Sequence, residues 1–299
     1  MYQQIDSNKR RTLLIMGFFI VFVGLFGWVL SQATGNSALV IFFAIFGIGY
    51  ALIGYYASAK ITLAIAGAKP IEKQDAPDLY RVVENLSIAG GLPMPQIYIT
   101  PDQSPNAFAT GRDPQHAVVC VTSGLLQIMD NNELEGVIGH ELSHVGNYDI
   151  RLMAIVVVLV GVITVMSNFF LRFTFFGGRG RNNNNGDGEL GVIFLVIGIV
   201  MAILAPIAAT LIQLAVSRNR EYLADASGAL LTRYPEGLAS ALRKIQNVNL
   251  PLQHANTATA HLYIANPLKQ AGGAFTKLFD THPPIDERIS RLENMEIKA

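Results

Sequence analysis

Charge is scarce in this sequence. Asp, Glu, Lys and Arg make up 15% of its 299 residues, against ~25% in ordinary globular domains, while hydrophobic residues reach 51%. So apolar a chain points to the bilayer before any motif is read. Positive and negative charges balance at 22 each, leaving no net field to draw the chain to nucleic acid, and none is expected as a partner. Cysteine is nearly missing. Cys120 stands alone, which excludes an internal disulfide framework and fits a reducing compartment.

What charge there is avoids four stretches altogether. Leu13–Leu30, Leu39–Tyr56, Leu152–Leu171 and Leu190–Leu214 hold no Lys, Arg, Asp or Glu, and each approaches or exceeds the ~20 residues that cross a ~30 Å hydrocarbon core. The first two, parted only by Ser31–Ala38, read as a helical hairpin; no small-x-small site marks the first as a cleaved signal peptide. A transporter or channel would carry ionisable groups inside its spans, and these carry only Thr164, Ser167, Asn168 and Gln213 as notable polar residues. Lys9, Arg10, Arg11, Lys60, Lys69, Lys73, Arg151, Arg218 and Arg220 all fall on one side of a four-span chain, which places both termini and both polar regions in the cytoplasm. The expected order is a cytoplasmic N-terminus (1–12), a membrane hairpin (13–56), a first polar part (57–151), a second hairpin (152–214) and a second polar part (215–299). The loop 172–189, with its Asn-rich stretch 177–188, reads as a linker. Neither polar part has a complete core alone, so the two are expected to fold together on the membrane surface.

The chemistry lies in those polar parts. His140-Glu141-Leu142-Ser143-His144 is an H-E-x-x-H sequence on a predicted helix opened by a capping box, Asp130–Glu133. Residues i and i+4 share a face, so both imidazoles reach one ion, while Glu141, ~100° round the helix, approaches a coordinated water without being a ligand. Zinc suits such a set, and lowers the pKa of a bound water from ~16 to ~7. The helix is otherwise apolar (Leu134, Val137, Ile138, Leu142, Val145), and burying two histidines and a glutamate without a task is costly. A third ligand must come from elsewhere. Glu221 is the candidate, with Asp225 one turn on as a carboxylate that could hold a histidine N–H. Ahead of the zinc helix, Asn106–Thr110 (Asn106, Ala107, Phe108, Ala109, Thr110) and Ala117–Thr122 read as a hairpin whose first strand could take an extended substrate as an added strand. Thr281-His282-Pro283-Pro284 has two readings. It is an ordinary helix start with prolines in the first turn, or His282 donates to the oxyanion of a tetrahedral intermediate with Arg288 nearby; Arg288 is expected, with Asp225, among the residues that support the ligands. The zinc helix is expected to run on without a breaker into the third span, which would set His144 and Glu221 roughly 10–12 Å beyond the apolar segments.

Pro105–Gly111, Ser123–Leu126, His140–His144, Arg220–Asp225 with Gly228-Ala229, and Thr281–Pro283 follow one another across nearly the whole chain. In that order, with four apolar spans, they resemble the HtpX family of membrane metalloproteases, relatives of the type 1 CAAX prenyl endopeptidases. The resemblance implies a mainly α membrane protein: four transmembrane helices plus a cytoplasmic α+β zincin domain of the gluzincin type with a small β-sheet. It implies one Zn2+ per chain on His140, His144 and Glu221, with Glu141 as general base. It further implies membrane-protein substrates and a role in quality control and stress response in the bacterial inner membrane. With Glu141 and all three expected ligands in place, nothing favours a catalytically dead scaffold. The sequence assigns no oligomeric state.

Overall fold

The computed structural model describes residues 2–177, 218–248, 250–253, 259–265 and 283–295. The expected fourth span, most of the loop before it, and His282 lie outside them.

The protein is mostly helical. Helices α1 (Tyr2–Thr34) and α2 (Ala38–Ile65) form an antiparallel pair, and both are long and apolar enough to cross a membrane. Ile15, Phe19 and Val23 of α1 and Ala51 of α2 pack on Leu152, Ile155, Val156 and Leu159 of α6 (Asp149–Gly177). The opposite faces leave Leu13, Val21, Leu25, Ile41, Phe42 and Ile45 exposed, as lipid contact requires.

A four-stranded mixed sheet follows in the order β1-β2-β4-β3. Its strands are β1 (Lys69–Pro70), β2 (Gln96–Thr100), β3 (Ala107–Thr110) and β4 (Val118–Thr122). β2 pairs parallel with β4, Ile97 opposite Val119, and β3 pairs antiparallel with β4, Phe108 opposite Cys120. The expected hairpin is therefore present, with β3 at a sheet edge.

One core joins both polar parts. Leu79, Val82 and Val83 of α3 (Pro77–Ala89), Val119 and Val121 of β4, Leu125 of α4 (Ser123–Ile128), and Val137, Ile138 and Leu142 of α5 (Asn131–Gly146) meet three later helices. These are α7 (Arg218–Thr232), α8 (Pro235–Asn247) and α9 (Ile285–Glu293), which supply Ala229, Leu238, Leu242, Ile289 and Leu292. Each such leucine or isoleucine contributes roughly 1.5–3 kcal/mol on burial. The apolar flank of α5 therefore fixes which face of that helix turns to the polar site.

The start of α5 is the expected capping box. Asp130 Oδ1 accepts from the Glu133 N–H at 2.9 Å, and Glu133 Oε2 accepts from the Asp130 N–H at 2.9 Å. Glu133 also binds Ser240 Oγ at 2.7 Å and Lys244 Nζ at 2.6 Å, docking α8.

The end of α5 corrects an expectation. The helix does not continue into the third span: α5 and α6 bend by 82° across Asn147 and Tyr148. Tyr148 sits at φ 59°, in the left-handed region, where no α-helix propagates. Lys9 lies 4.7 Å and Arg151 5.0 Å from the Tyr148 ring centroid, and these cations hold the turn in place. The height of the site above the bilayer therefore cannot be read from a straight helix.

Candidate metal centre

Helices α5 and α7 cross at their glycines. A Cβ on Gly228 would lie 2.7 Å from the His140 backbone nitrogen and 3.0 Å from the Gly139 carbonyl carbon. Only the absence of a side chain there lets the two backbones approach so closely. Because the helices run antiparallel, stepping back along α7 from Gly228 to Asp225 and Glu221 matches stepping forward along α5 to His140 and His144. Four side chains buried to within 5% exposure thus share one spot.

His140 Nε2 and His144 Nε2 are 3.2 Å apart, and Glu221 oxygens lie 3.8 Å from the first and 3.6 Å from the second. One ligand atom from each residue falls within 4.8 Å of the others. Two nitrogens bound to a tetrahedral ion at 2.0–2.1 Å are separated by about 3.3 Å, so the imidazoles stand at a metal-chelating distance.

The other ring nitrogens are taken. His140 Nδ1 faces Asp225 Oδ1 at 2.8 Å, and His144 Nδ1 faces Asp149 Oδ2 at 3.1 Å. With each Nδ1–H donated to a carboxylate, both Nε2 lone pairs point at the shared position. Asp225 is gripped in turn by Arg288, whose Nε and Nη2 donate to its two oxygens at 2.8 and 2.7 Å. Burial would raise the Asp225 carboxyl, but the guanidinium and the His140 ring overcome this and hold it at about 2. Arg288 also donates through Nη1 to the Ile264 carbonyl at 2.7 Å. Its donors thus serve Asp225 and the 264 segment, behind His140, so it acts on that ring through Asp225.

Asp149 and Asn8 carry no sequence signal that links them to the metal site, and Arg220 shows only as a charge at the end of a span and as the start of the Arg220–Asp225 stretch. Asn8, on α1 and 1% exposed, donates through Nδ2 to Asp149 Oδ1 at 2.6 Å and to the Asn147 carbonyl at 2.9 Å. Arg220 Nη1 donates to Asn8 Oδ1 at 3.1 Å and lies 3.5 Å from Asp149 Oδ1. The helix that opens the chain therefore reaches His144 through Asp149.

Glu141 is 1% exposed, and its Oε1 has no hydrogen-bond partner among the described residues. Burial pushes its carboxyl up to about 7, opposed by the His144 ring and by the Ala109 N–H directed at it. A buried carboxylate oxygen without a partner beside two chelating imidazoles fits a site built for an ion and a water. For His144, burial favours the neutral ring, but Asp149 and Glu221 outweigh it and raise the group to about 9.

The strand beside Glu141 is partly covered. The Thr122 N–H bonds the Asn106 carbonyl at 2.9 Å, and by alternation Phe108 and Thr110 also pair with β4 while Ala107 and Ala109 face the open edge. The Ala107 carbonyl accepts from the Ile264 N–H at 3.0 Å, and Asn106 Nδ2 donates to the Ala265 carbonyl at 3.0 Å. Among the described residues, 264–265 pair only with the Asn106–Ala107 end of this edge; at the other end Ala109, 1% exposed, directs its N–H at Glu141.

The chain is similar to known proteins. The sequence model of Peptidase family M48 matches residues 73–296, a stretch that contains α5, α7 and α9 but not Asn8. A Protease HtpX homolog of Tropheryma whipplei (strain Twist) is 49% identical over 295 residues, covering 99% of this chain and 98% of that one. A Protease HtpX homolog of Ligilactobacillus salivarius (strain UCC118) is 46% identical over 298 residues, covering 99% and 100%. The crystal structure of S. mikatae Ste24p shares the fold, with a TM-score of 0.52 at 16% identity over 98% of this chain and 67% of that one.

Proposed function

The chain belongs to peptidase family M48 and is an integral-membrane metalloprotease of the HtpX type; on that premise we propose that it is a zinc endopeptidase that cuts misfolded or damaged membrane proteins beside the cytoplasmic surface of a bacterial inner membrane. The observation that carries the reading is the buried His140–His144–Glu221 cluster, with each imidazole turned inward by its own carboxylate and Glu141 at its side.

Zinc on His140 Nε2, His144 Nε2 and Glu221 would supply a Lewis acid that polarises the scissile carbonyl and makes a water acidic enough to attack at neutral pH. The protein does the rest. Glu141 takes the proton from the attacking water and returns it to the leaving amine nitrogen. Asp225 and Asp149 keep the imidazoles in the Nδ1–H tautomer through both transfers. An extended peptide adds along the Ala109 end of β3, its backbone held by main-chain hydrogen bonds and its side chains loosely read. His282, just ahead of α9, is the candidate donor to the oxyanion.

Depth in the membrane is argued from α1. Asn8, which supports the site, precedes the apolar run from Leu13 by five residues, about 7–8 Å along a helix. That supports cleavage close to the membrane surface, in loops or unfolded segments of substrates.

The test is Glu141→Gln beside wild type, assayed for metal content by elemental analysis and for cleavage of an unfolded membrane protein. The variant should keep about stoichiometric zinc while losing several orders of magnitude in rate. Undiminished cleavage by it would sink the assignment.

A further inference from the structure

We propose that a cavity at the junction of α2 and the sheet, apart from the metal centre, binds the phosphodiester headgroup of an anionic phospholipid. The cavity has a volume of about 390 Å³, and Tyr56, Lys60, Gln96, Tyr98, Arg112 and His116 are among its lining residues. None of its lining residues belongs to the metal network.

Its position follows from the length of α2. The helix has 28 residues, about 42 Å of rise, against a hydrocarbon core of ~30 Å. With its start at the turn that closes the first hairpin, its last two turns emerge into the headgroup layer. Tyr55 and Tyr56 mark that level, where aromatic rings settle. Arg151 lies 5.5 Å from the Tyr55 ring centroid and Arg112 5.5 Å from that of Tyr56, so two guanidinium groups are stacked at the same depth. Arg151 Nε also donates to the Arg112 carbonyl, tying the two together.

The charge balance of the lining favours an anion. Lys60 and Arg112 face one acid, Asp113, which is shared between Arg112 at 3.4 Å and His116 at 2.5 Å, and Arg112 Nη2 donates to His116 Nε2 at 2.6 Å. Among the described residues no carboxylate lies within ion-pair distance of Lys60, and neither the Gln96 amide nor the Tyr98 hydroxyl has a side-chain hydrogen bond to protein. Among the described residues Lys60, Gln96 and Tyr98 thus offer donors without a protein acceptor, while the one carboxylate at the site is already in use. A phosphodiester supplies the missing acceptors.

The surface leading to the cavity selects a lipid over a soluble anion. Leu52, Ile53 and Tyr56 are 50%, 50% and 64% exposed on the outer face of α2, and Tyr56 itself lines the cavity. Acyl chains lying along Leu52 and Ile53 would bring a headgroup to Lys60, about two turns further on.

The experiment is native mass spectrometry of full-length, delipidated protein in detergent, titrated with phosphatidylglycerol, phosphatidylcholine or inorganic phosphate. Phosphatidylglycerol should bind at least tenfold more tightly than phosphatidylcholine. Lys60 is exposed, so its replacement does not threaten folding. Lys60→Gln should weaken phosphatidylglycerol about fivefold and Lys60→Glu about 25-fold, from roughly one surface charge contact each. Arg112→Lys should keep the preference, and zinc content should not change in any of these variants. Equal affinity for the two lipids, or Lys60→Glu binding like wild type, would overturn the proposal. So would inorganic phosphate binding as tightly as phosphatidylglycerol, because the cavity would then be a site for a soluble anion.

Discussion

Removing the Asp149 carboxylate separates a ligand-orienting network from a merely structural one. In Asp149→Ala, His144 loses its 3.1 Å partner at Nδ1, and Asn8 and Arg220 lose theirs at Oδ1. The imidazole is then free to rotate and to take the other tautomer. Loss of such a support typically costs ~10–100-fold in metal affinity, or ~1.4–2.7 kcal/mol. Folding stability falls as well, by roughly 3–5 kcal/mol, because the change breaks a buried ionic contact. Asn8→Ala is milder. It removes two donated hydrogen bonds worth about 1 kcal/mol each but leaves Asp149 on His144, so zinc affinity should drop less than tenfold. Asn8→Asp should be worse than Asn8→Ala, since it sets a second carboxylate against Asp149 at the position now 2.6 Å away. Zinc affinity is read by competition with a chromogenic chelator, and folding by thermal unfolding at saturating zinc. The expected order of zinc affinity is wild type, Asn8→Ala, then Asp149→Ala. If Asp149→Ala keeps wild-type affinity while its Tm falls, the carboxylate holds the bend between α5 and α6 and does not orient His144.

Three further outcomes follow from the same geometry. Glu221→Ala should abolish tight zinc binding, whereas Asp225→Ala should weaken it ~10–100-fold; the opposite pattern in a metal analysis reverses the two roles. Gly228→Ala drives a methyl group against the α5 backbone, so it should cost about 1–3 kcal/mol in unfolding experiments and loosen zinc by moving Glu221 away from the histidines; a variant with wild-type Tm and zinc affinity contradicts the close crossing. Ala109→Pro removes an edge N–H and leaves the β4 ladder intact, so it should lower kcat and raise KM with modest loss of stability; Phe108→Pro breaks the ladder and should unfold the domain, and equal unfolding by both would remove β3 as a substrate strand.

Much of the site could be read from residue spacing because it lies on two helices whose periodicity is regular. His140 and His144 are one turn apart, as are Glu221 and Asp225, and an apolar flank on α5 told which side was buried. The capping box at Asp130–Glu133 was equally local, since its two bonds span three residues. Asp149 was hidden for a geometric reason. On a continuous helix it would sit 140° round from His144 at 100° per residue, facing away. The 82° bend and the left-handed Tyr148 fold it back onto the ring. A positive φ at a tyrosine has no sequence signature of the kind that Gly or Asn would provide. Asn8 was hidden by distance, 139 residues before the carbonyl that it binds.

That distance bears on how the membrane part contributes. The residues matched to the family begin at 73, yet His144 is oriented by a carboxylate held from α1, at Asn8. The Asp149 pocket is thus closed by three segments: α1 just before its apolar run, the joint of α5 and α6, and the first turn of α7, through Arg220. A buried carboxylate with one fewer partner is costly, so the pocket reaches its full stability only when α1 packs beside α6, as Ile15, Phe19 and Val23 do against Leu152, Ile155 and Leu159. Assembly of the apolar bundle and organisation of the histidine that faces the metal are therefore energetically linked. The membrane helices do more than tether the catalytic part to the surface: through Asn8 they help set the geometry of His144.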